Sequence, residues 1–280
     1  MLSYRHAYHA GNFADVLKHH VQIQLLDYLA QKDKGYCYID THAGSGDYSL
    51  TADYALKNKE YATGIELLWT RSDIPPSLQR YVQLIKNYNH TPQLTRYCGS
   101  ALIAAQLKRP QDRLFLYELH TSEIKLLNTV FAAYKGVKCF HDDGLTQSLG
   151  LLPPLEKRGL IFIDPSYEIK TDYNQVVNTL IAMHKRFASG IYALWYPVID
   201  RMRNHYLEKA LLNSGIGNIQ LFELALRPDS EQLGMSGSGM IIINPPWTLA
   251  KQMQTVLPYL VKTLSNNTGS YRLITLVAEK

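Results

Sequence analysis

The stretch Tyr36-Cys37-Tyr38-Ile39-Asp40-Thr41-His42-Ala43-Gly44-Ser45-Gly46 runs from four apolar residues through an acid into two glycines spaced two apart. A short apolar run bounded by turn formers reads as a strand buried on both faces. Glycines at this spacing let the backbone turn tightly and approach a nucleotide-like ligand with no Cβ in the way. Asp40, just ahead of the turn, suits a ligand with a positive end. The full dinucleotide fingerprint asks for a third glycine where the chain has Ser49, which argues against a pyrophosphate seated on a helix N-terminus. Taken alone, the turn is equally a plain structural one.

Further apolar, β-rich runs recur at 114–117, 137–140, 159–163, 191–195 and 240–243, and segments with helical spacing lie between most of them, at 122–134, 173–187 and 247–264. Strands alternating with helices imply an α/β fold with a mainly parallel sheet covered on both faces. One connection is too long. More than seventy residues separate the first strand from Leu114, whereas a whole βαβ unit takes about thirty. Within them, 61–69 and 77–88 carry apolar positions at helical spacing, separated by Asp73-Ile74-Pro75-Pro76. The expected organisation is one main α/β domain, residues 1–48 and 99–280, interrupted by a small helical subdomain at 49–98. The displaced crossover helix then starts near Gly99-Ser100. Ahead of the first strand, Asn12 can cap a helix whose stripe is Phe13, Val16, Leu17, Val21, Leu25 and Leu29, with Lys18 and His19 beside it.

Composition bounds the remaining possibilities. A chain of 280 residues that is 46% hydrophobic and 19% charged has ample core, which excludes a disordered or fibrous protein. Three cysteines without a CxxC pair support neither a disulfide framework nor a cysteine zinc site, as expected for the cytoplasm. No apolar run approaches the ~18 residues of a membrane span. The net charge of +5 mildly favours a polyanionic partner. His6-x-x-His9 and His19-His20 lack acidic or cysteine partners at ligand spacing, so no metal is expected. The pairs Lys108-Arg109, Lys157-Arg158 and Lys185-Arg186 read as solvated faces or as the border of an RNA groove.

Four carboxylates, Asp40, Glu118, Asp143 and Asp164, fall at or just beyond strand ends. In a doubly wound sheet, ligands collect outside those ends. Glu118 can accept two hydrogen bonds from ribose hydroxyls. The sharpest signal is Ile163-Asp164-Pro165-Ser166-Tyr167, close to the Asp/Asn-Pro-Pro-Tyr/Phe loop of enzymes that methylate exocyclic amino groups of bases. The adenine N6 lone pair is delocalised into the ring, so its N–H groups need acceptors as it pyramidalises towards a methyl donor. The Asp164 carboxylate and the Pro165 carbonyl supply such acceptors, and the Tyr167 ring offers a stacking surface for a flipped base. A competing copy, Asn244-Pro245-Pro246-Trp247, matches the pattern more literally. It follows a much later strand, expected at a sheet edge, and reads as a proline-started helix N-terminus.

Taken together, Tyr4-Arg5-His6-x-x-His9-Ala10-Gly11-Asn12-x-Ala14-Asp15-Val16-Leu17-Lys18-His19, the Asp40 to Gly46 turn, Ile163-Asp164-Pro165-x-Tyr167-Glu168, Tyr192-Ala193-Leu194-Trp195-Tyr196-Pro197 and Gly239-Met240-Ile241-x-Ile243-Asn244-Pro245-Pro246-Trp247 resemble the RlmJ family over nearly the whole length. The resemblance implies a Rossmann-like class I methyltransferase with a small helical insertion. It further implies N6-methylation of a specific 23S rRNA adenine, using S-adenosyl-L-methionine, on RNA that is protein-free or early in assembly. By the same resemblance, His19, His42, Gly44, Gly46, Ser100, Glu118, Asp143, Gly144 and Asp164 surround the cofactor. Asp164, Pro165 and Tyr167 form the catalytic loop, and Tyr4, His6 and Lys18 face the target nucleotide. Ser166 departs from the family's second proline, which removes stiffness from the loop. The alternatives are a DNA adenine-N6 methyltransferase, an RNA-binding homologue weakened in catalysis, and an NAD-dependent oxidoreductase. The last is disfavoured by Ser49 and by the absence of a hydride-handling group.

Overall fold

The computed structural model describes residues 5–168, 172–228 and 234–279. Its ten strands are β1 (Cys37–Asp40), β2 (Asp47–Ser49), β3 (Arg96–Cys98), β4 (Arg113–Tyr117), β5 (Val137–Phe140), β6 (Gly159–Ile163), β7 (Ile191–Val198), β8 (Ile219–Ala225), β9 (Gly237–Ile243) and β10 (Ser270–Val277). Eight of them form one sheet in the order β10-β8-β9-β7-β6-β1-β4-β5. From β7 to β5 all neighbours are parallel. β9 runs against both β7 and β8, and β10 against β8.

Every residue of β1 and β6 is buried, as expected for parallel strands with helices on both faces. Register then sets the working edge. Asp40 pairs with Leu116 of β4 and Phe162 of β6, so the three strands end level. His42, Glu118 and Asp164 each lie two residues beyond that line. β9 differs from the expectation of an edge strand. It sits inside the sheet, third from the β10 edge, and because it is antiparallel its carboxyl end faces the opposite way. Nor does proline start the helix that follows, which begins at Leu249, three residues after Pro246.

The helix Phe13–Ala30 is capped by Asn12, whose side chain accepts from the Asp15 N–H. Fifteen of its eighteen residues are buried, far more than one apolar stripe requires. It packs on β6, β7 and β9 on one side and on the helices Pro76–Asn89 and Ser100–Leu107 on another. Some of its polar residues are paired internally: Gln22 donates to the Tyr38 hydroxyl at 2.9 Å and to the Ser100 carbonyl at 2.8 Å, whereas neither ring nitrogen of buried His20 has a hydrogen-bond partner among the described residues. Between β2 and β3 run helices Asp53–Asn58, Glu66–Trp69 and Pro76–Asn89, and β2 and β3 close this excursion as an antiparallel pair. Sequence reading missed that pair, because three-residue strands carry too little periodicity. No described helix is long and apolar enough to cross a membrane.

Candidate active site

A cavity of about 290 Å³ opens at the carboxyl edge of β1, β4, β5 and β6. His6, Lys18, His19, His42, Gly44, Ser100, Glu118, Asp143, Gly144, Asp164 and Pro165 all line it. The glycine turn and the Asp-Pro loop therefore border one space, although more than a hundred residues separate them in the chain.

At one end, buried charges run in series. His6 Nε2 lies 2.9 Å from Asp15 Oδ2. Lys18 Nζ stands 2.8 Å from Asp15 Oδ1 and 2.7 Å from Asp164 Oδ2, and 5.4 Å above the Trp195 ring. Burial pulls the Lys18 ammonium towards neutrality, but Asp15 and Asp164 outweigh it and hold its pKa above the ordinary lysine value. Burial likewise pushes the Asp15 carboxyl up, and His6, Lys18 and His19 more than reverse this. Asp164 Oδ1 makes no hydrogen bond to any described residue, so one face of this carboxylate is available as an acceptor.

At the other end, Glu118 is held by two backbone donors, the Gly44 N–H on Oε2 at 2.9 Å and the His120 N–H on Oε1 at 2.6 Å. Each oxygen keeps a second lone-pair position. Burial raises the Glu118 pKa, opposed by those two N–H groups. Asp143 caps the short helix Gly144–Gln147, accepting from the Leu145 N–H and from the Thr146 hydroxyl. Gly44 has φ +59° and a Cβ there would lie 2.1 Å from the Tyr48 hydroxyl, so only glycine fits. At Gly144 a Cβ would lie 2.3 Å from the Thr41 carbonyl, so glycine is what lets the loop after β5 touch the turn. His19 is buried against the Tyr97 hydroxyl at 2.7 Å, and burial lowers its pKa to about 3. Burial also takes His42 down to about 4, opposed by Asp164 and Asp143, so both imidazoles are neutral near pH 7.

Several expectations need correction. Tyr167 does not line the cavity: its ring packs on Tyr173, its hydroxyl donates to the Trp195 carbonyl at 2.8 Å, and it has no face free for a base. Gly46, at φ +77°, packs against Phe131 and Leu127 of the Thr121–Phe131 helix and makes room for that helix instead of a ligand. Asp40 lies fully buried behind the cavity, bonded by the Tyr38 hydroxyl and the His42 N–H, with burial raising its pKa to about 6. Lys18 is neither solvated nor free for phosphate, because its ammonium is committed to two carboxylates. Of the basic pairs, Lys157, Lys185 and Arg186 are exposed as a solvated face requires; Arg109 and Arg158, half-buried, also reach carbonyls between Leu29 and Lys34, ahead of β1, and Arg186 holds the Leu149 carbonyl from the surface. Tyr4 lies outside the described residues.

Sequence reading also missed Asp15 and Trp195. Asp15 left a signal, an acid in the first turn of the helix three residues before Lys18. Trp195 lines the cavity from β7, with its Nε1–H donated to Ser238 Oγ at 2.8 Å, and no spacing announced it. Among the described residues, no group of three His, Cys, Asp or Glu side chains is placed to hold a metal.

The strand order, the reversed strand β9 between the mutually parallel β7 and β8, and acceptors collected at the carboxyl edge define a class I S-adenosylmethionine-dependent methyltransferase. Comparison with known proteins narrows the class. Residues 33–277 match the family model described as ribosomal RNA large subunit methyltransferase D, RlmJ. The chain is 50% identical over 273 residues to ribosomal RNA large subunit methyltransferase J of Haemophilus influenzae, with 97% of each chain covered. The Escherichia coli protein of the same name is 49% identical over 260 residues, with 93% of each covered. A crystal structure of a Legionella pneumophila protein of the DUF519 family superposes with a TM-score of 0.89 at 38% identity, covering 95% of this chain and 98% of that one. This chain belongs to the RlmJ family.

Proposed function

We propose that this protein methylates the N6 amino group of an adenine in 23S rRNA, using S-adenosylmethionine. The observation that carries the proposal is Asp164: one carboxylate oxygen is anchored by Lys18, and the other, at the wall of the cavity that Glu118 and Gly44 share, has no hydrogen-bond partner among the described residues. The names of the two relatives support rRNA as the substrate.

The residues present fit the cofactor. Glu118 offers lone pairs to ribose hydroxyls, Gly44 and Gly144 clear the space a Cβ would fill, and neutral His19 and His42 add no cation near a sulfonium. When bound, S-adenosylmethionine supplies an electrophilic methyl group on that sulfonium. Everything else falls to the chain. Asp164 Oδ1 and the Pro165 carbonyl accept the two N6–H groups, which localises the lone pair on nitrogen as it attacks. Lys18 fixes the carboxylate by its other oxygen, so the acceptor does not rotate away. Asp15 and the Trp195 ring hold Lys18 in turn. The base that reaches this site must leave its stack, at a cost of a few kcal/mol, so RNA that is protein-free or early in assembly is the favoured form of the substrate.

Two measurements test this. Protein-free 23S rRNA and the matching DNA are incubated with enzyme and S-adenosylmethionine, and nucleosides are analysed by mass spectrometry; N6-methyladenosine from the RNA is expected, and its absence removes the proposal. Calorimetry is expected to show binding of S-adenosylmethionine and not NAD, and the reverse preference returns the oxidoreductase reading.

A further inference from the structure

Resting on the methyl transfer proposed above, we infer that Glu60, in the segment between β2 and β3, is a positioning residue that holds the N-terminal arm over the active site. No residue of the arm turn His6–Tyr8 is fully buried; Ala7 packs on the core, and the rings of His6 and Tyr8 meet Tyr48 and Tyr54 edge-on, so the turn rests on a partial packing surface. It brings His6 into the cavity wall. His6 is held from within by Asp15. The polar support from outside is Glu60, added to those ring contacts: its Oε1 lies 2.8 Å from His9 Nδ1 and its Oε2 accepts from Asn12 Nδ2 at 3.0 Å. One carboxylate thus spans the residue that closes the arm turn and the residue that caps the Phe13–Ala30 helix.

The backbone around it is matched to that contact. The Ile65 N–H donates to the Gly11 carbonyl at 2.9 Å, and a Cβ at Gly64 would lie 2.2 Å from that same oxygen. The Gly11 N–H in turn donates to Asp15 Oδ2 at 2.8 Å. Asn12 is shared: its amide nitrogen serves Glu60, and its oxygen receives the Asp15 N–H at 3.0 Å. Glu60 is therefore one residue removed from the carboxylate that holds Lys18, and through it Asp164. It does not line the cavity, so it acts only through His9 and Asn12.

The test compares the wild-type protein with Glu60→Ala and Glu60→Gln by kinetics on protein-free 23S rRNA, calorimetry with S-adenosylmethionine, thermal melting and amide hydrogen exchange. Loss of two hydrogen bonds to a charged group is expected to raise the KM for RNA roughly ten-fold in Glu60→Ala, with kcat changed by less than about three-fold. The cofactor Kd should stay within about two-fold, and amide protection should fall at residues 6–12. Glu60→Gln, which keeps one acceptor, should lie between Glu60→Ala and the wild type. The inference is overturned if Glu60→Ala keeps the wild-type KM and arm protection. It is equally overturned if RNA KM, cofactor Kd and Tm all worsen together, since Glu60 is then only part of the fold. A wild-type protein that methylates nothing removes the functional proposal instead, and the exchange measurement still decides whether Glu60 holds the arm.

Discussion

Two loops of this chain carry nearly the same residues, Asp164-Pro165-Ser166-Tyr167 after β6 and Asn244-Pro245-Pro246-Trp247 after β9, and they end at opposite edges of one sheet. β6 is parallel to β1, so Asp164 emerges beside the glycine turn. β9 is antiparallel to β7, so Asn244 emerges beside the start of β7, where its amide donates to the carbonyls of Ala188 and Gly190, both at 2.8 Å. In the first loop the polar side chain keeps an open acceptor; in the second it is used up in closing the fold. A motif of this length specifies a local turn, and strand direction decides whether that turn meets a ligand.

The most direct way to break the comparison is to exchange the chemistry. Asp164→Ala should lower methyl transfer by roughly 10²–10⁴-fold while the protein stays folded; Asn244→Ala should leave turnover per folded molecule unchanged. Radiolabelled methyl transfer on protein-free RNA reads both, and comparable losses in the two variants would erase the distinction.

Lys18→Met should act almost as strongly and in two ways. It removes the buried ammonium that Asp15 and Asp164 share, leaving Asp15 only its His6 and Gly11 partners, which costs about 3–5 kcal/mol in urea unfolding, and it frees Asp164 to rotate. Lys18→Met combined with Asp164→Asn and Asp15→Asn should recover much of that stability and none of the activity.

Acid should separate the loops further. His19 and His42 are neutral in the folded state, with pKa values of about 3 and about 4 against an ordinary 6.5. Between those values and 6.5 the unfolded chain binds more protons than the folded one. The stability these two histidines contribute is thus fully present above about pH 6.5 and is lost as the pH falls through 4 towards 3, opposed by Asp40, whose raised pKa of about 6 favours the folded state as it takes up its proton. Urea melts across this range, followed by amide exchange, should show protection lost first around residues 40–46. The Asn244 turn, held by an amide, has no proton to gain.

Smaller effects sharpen the second loop. Asn244→Ala should cost about 1–3 kcal/mol, since two hydrogen bonds vanish and a side chain remains at φ +54°. Asn244→Gly should cost less. Trp247 is 82% exposed, and Trp247→Ala should change stability by less than about 0.5 kcal/mol. Ser166→Pro, which makes the first loop match the second, should keep activity within about three-fold if Ser166 only loosens the backbone. A clear loss assigns its hydroxyl a role.

The sequence by itself determined the alternation of strands and helices, the glycine turn, the Asn12 cap and the reactive Asp-Pro loop, because these rest on local periodicity and backbone chemistry. It also held enough family-specific residues to imply the cofactor and substrate. Only the tertiary structure decided which acids meet. Packing turned Tyr167 inward and put Trp195 in the wall. It sealed Asp40 behind the cavity, and it buried Lys18 between Asp15 and an Asp164 that lies 146 residues further along the chain. Burial and charge pairing are properties of neighbours brought together by the sheet, and nothing in the adjacent sequence encodes them.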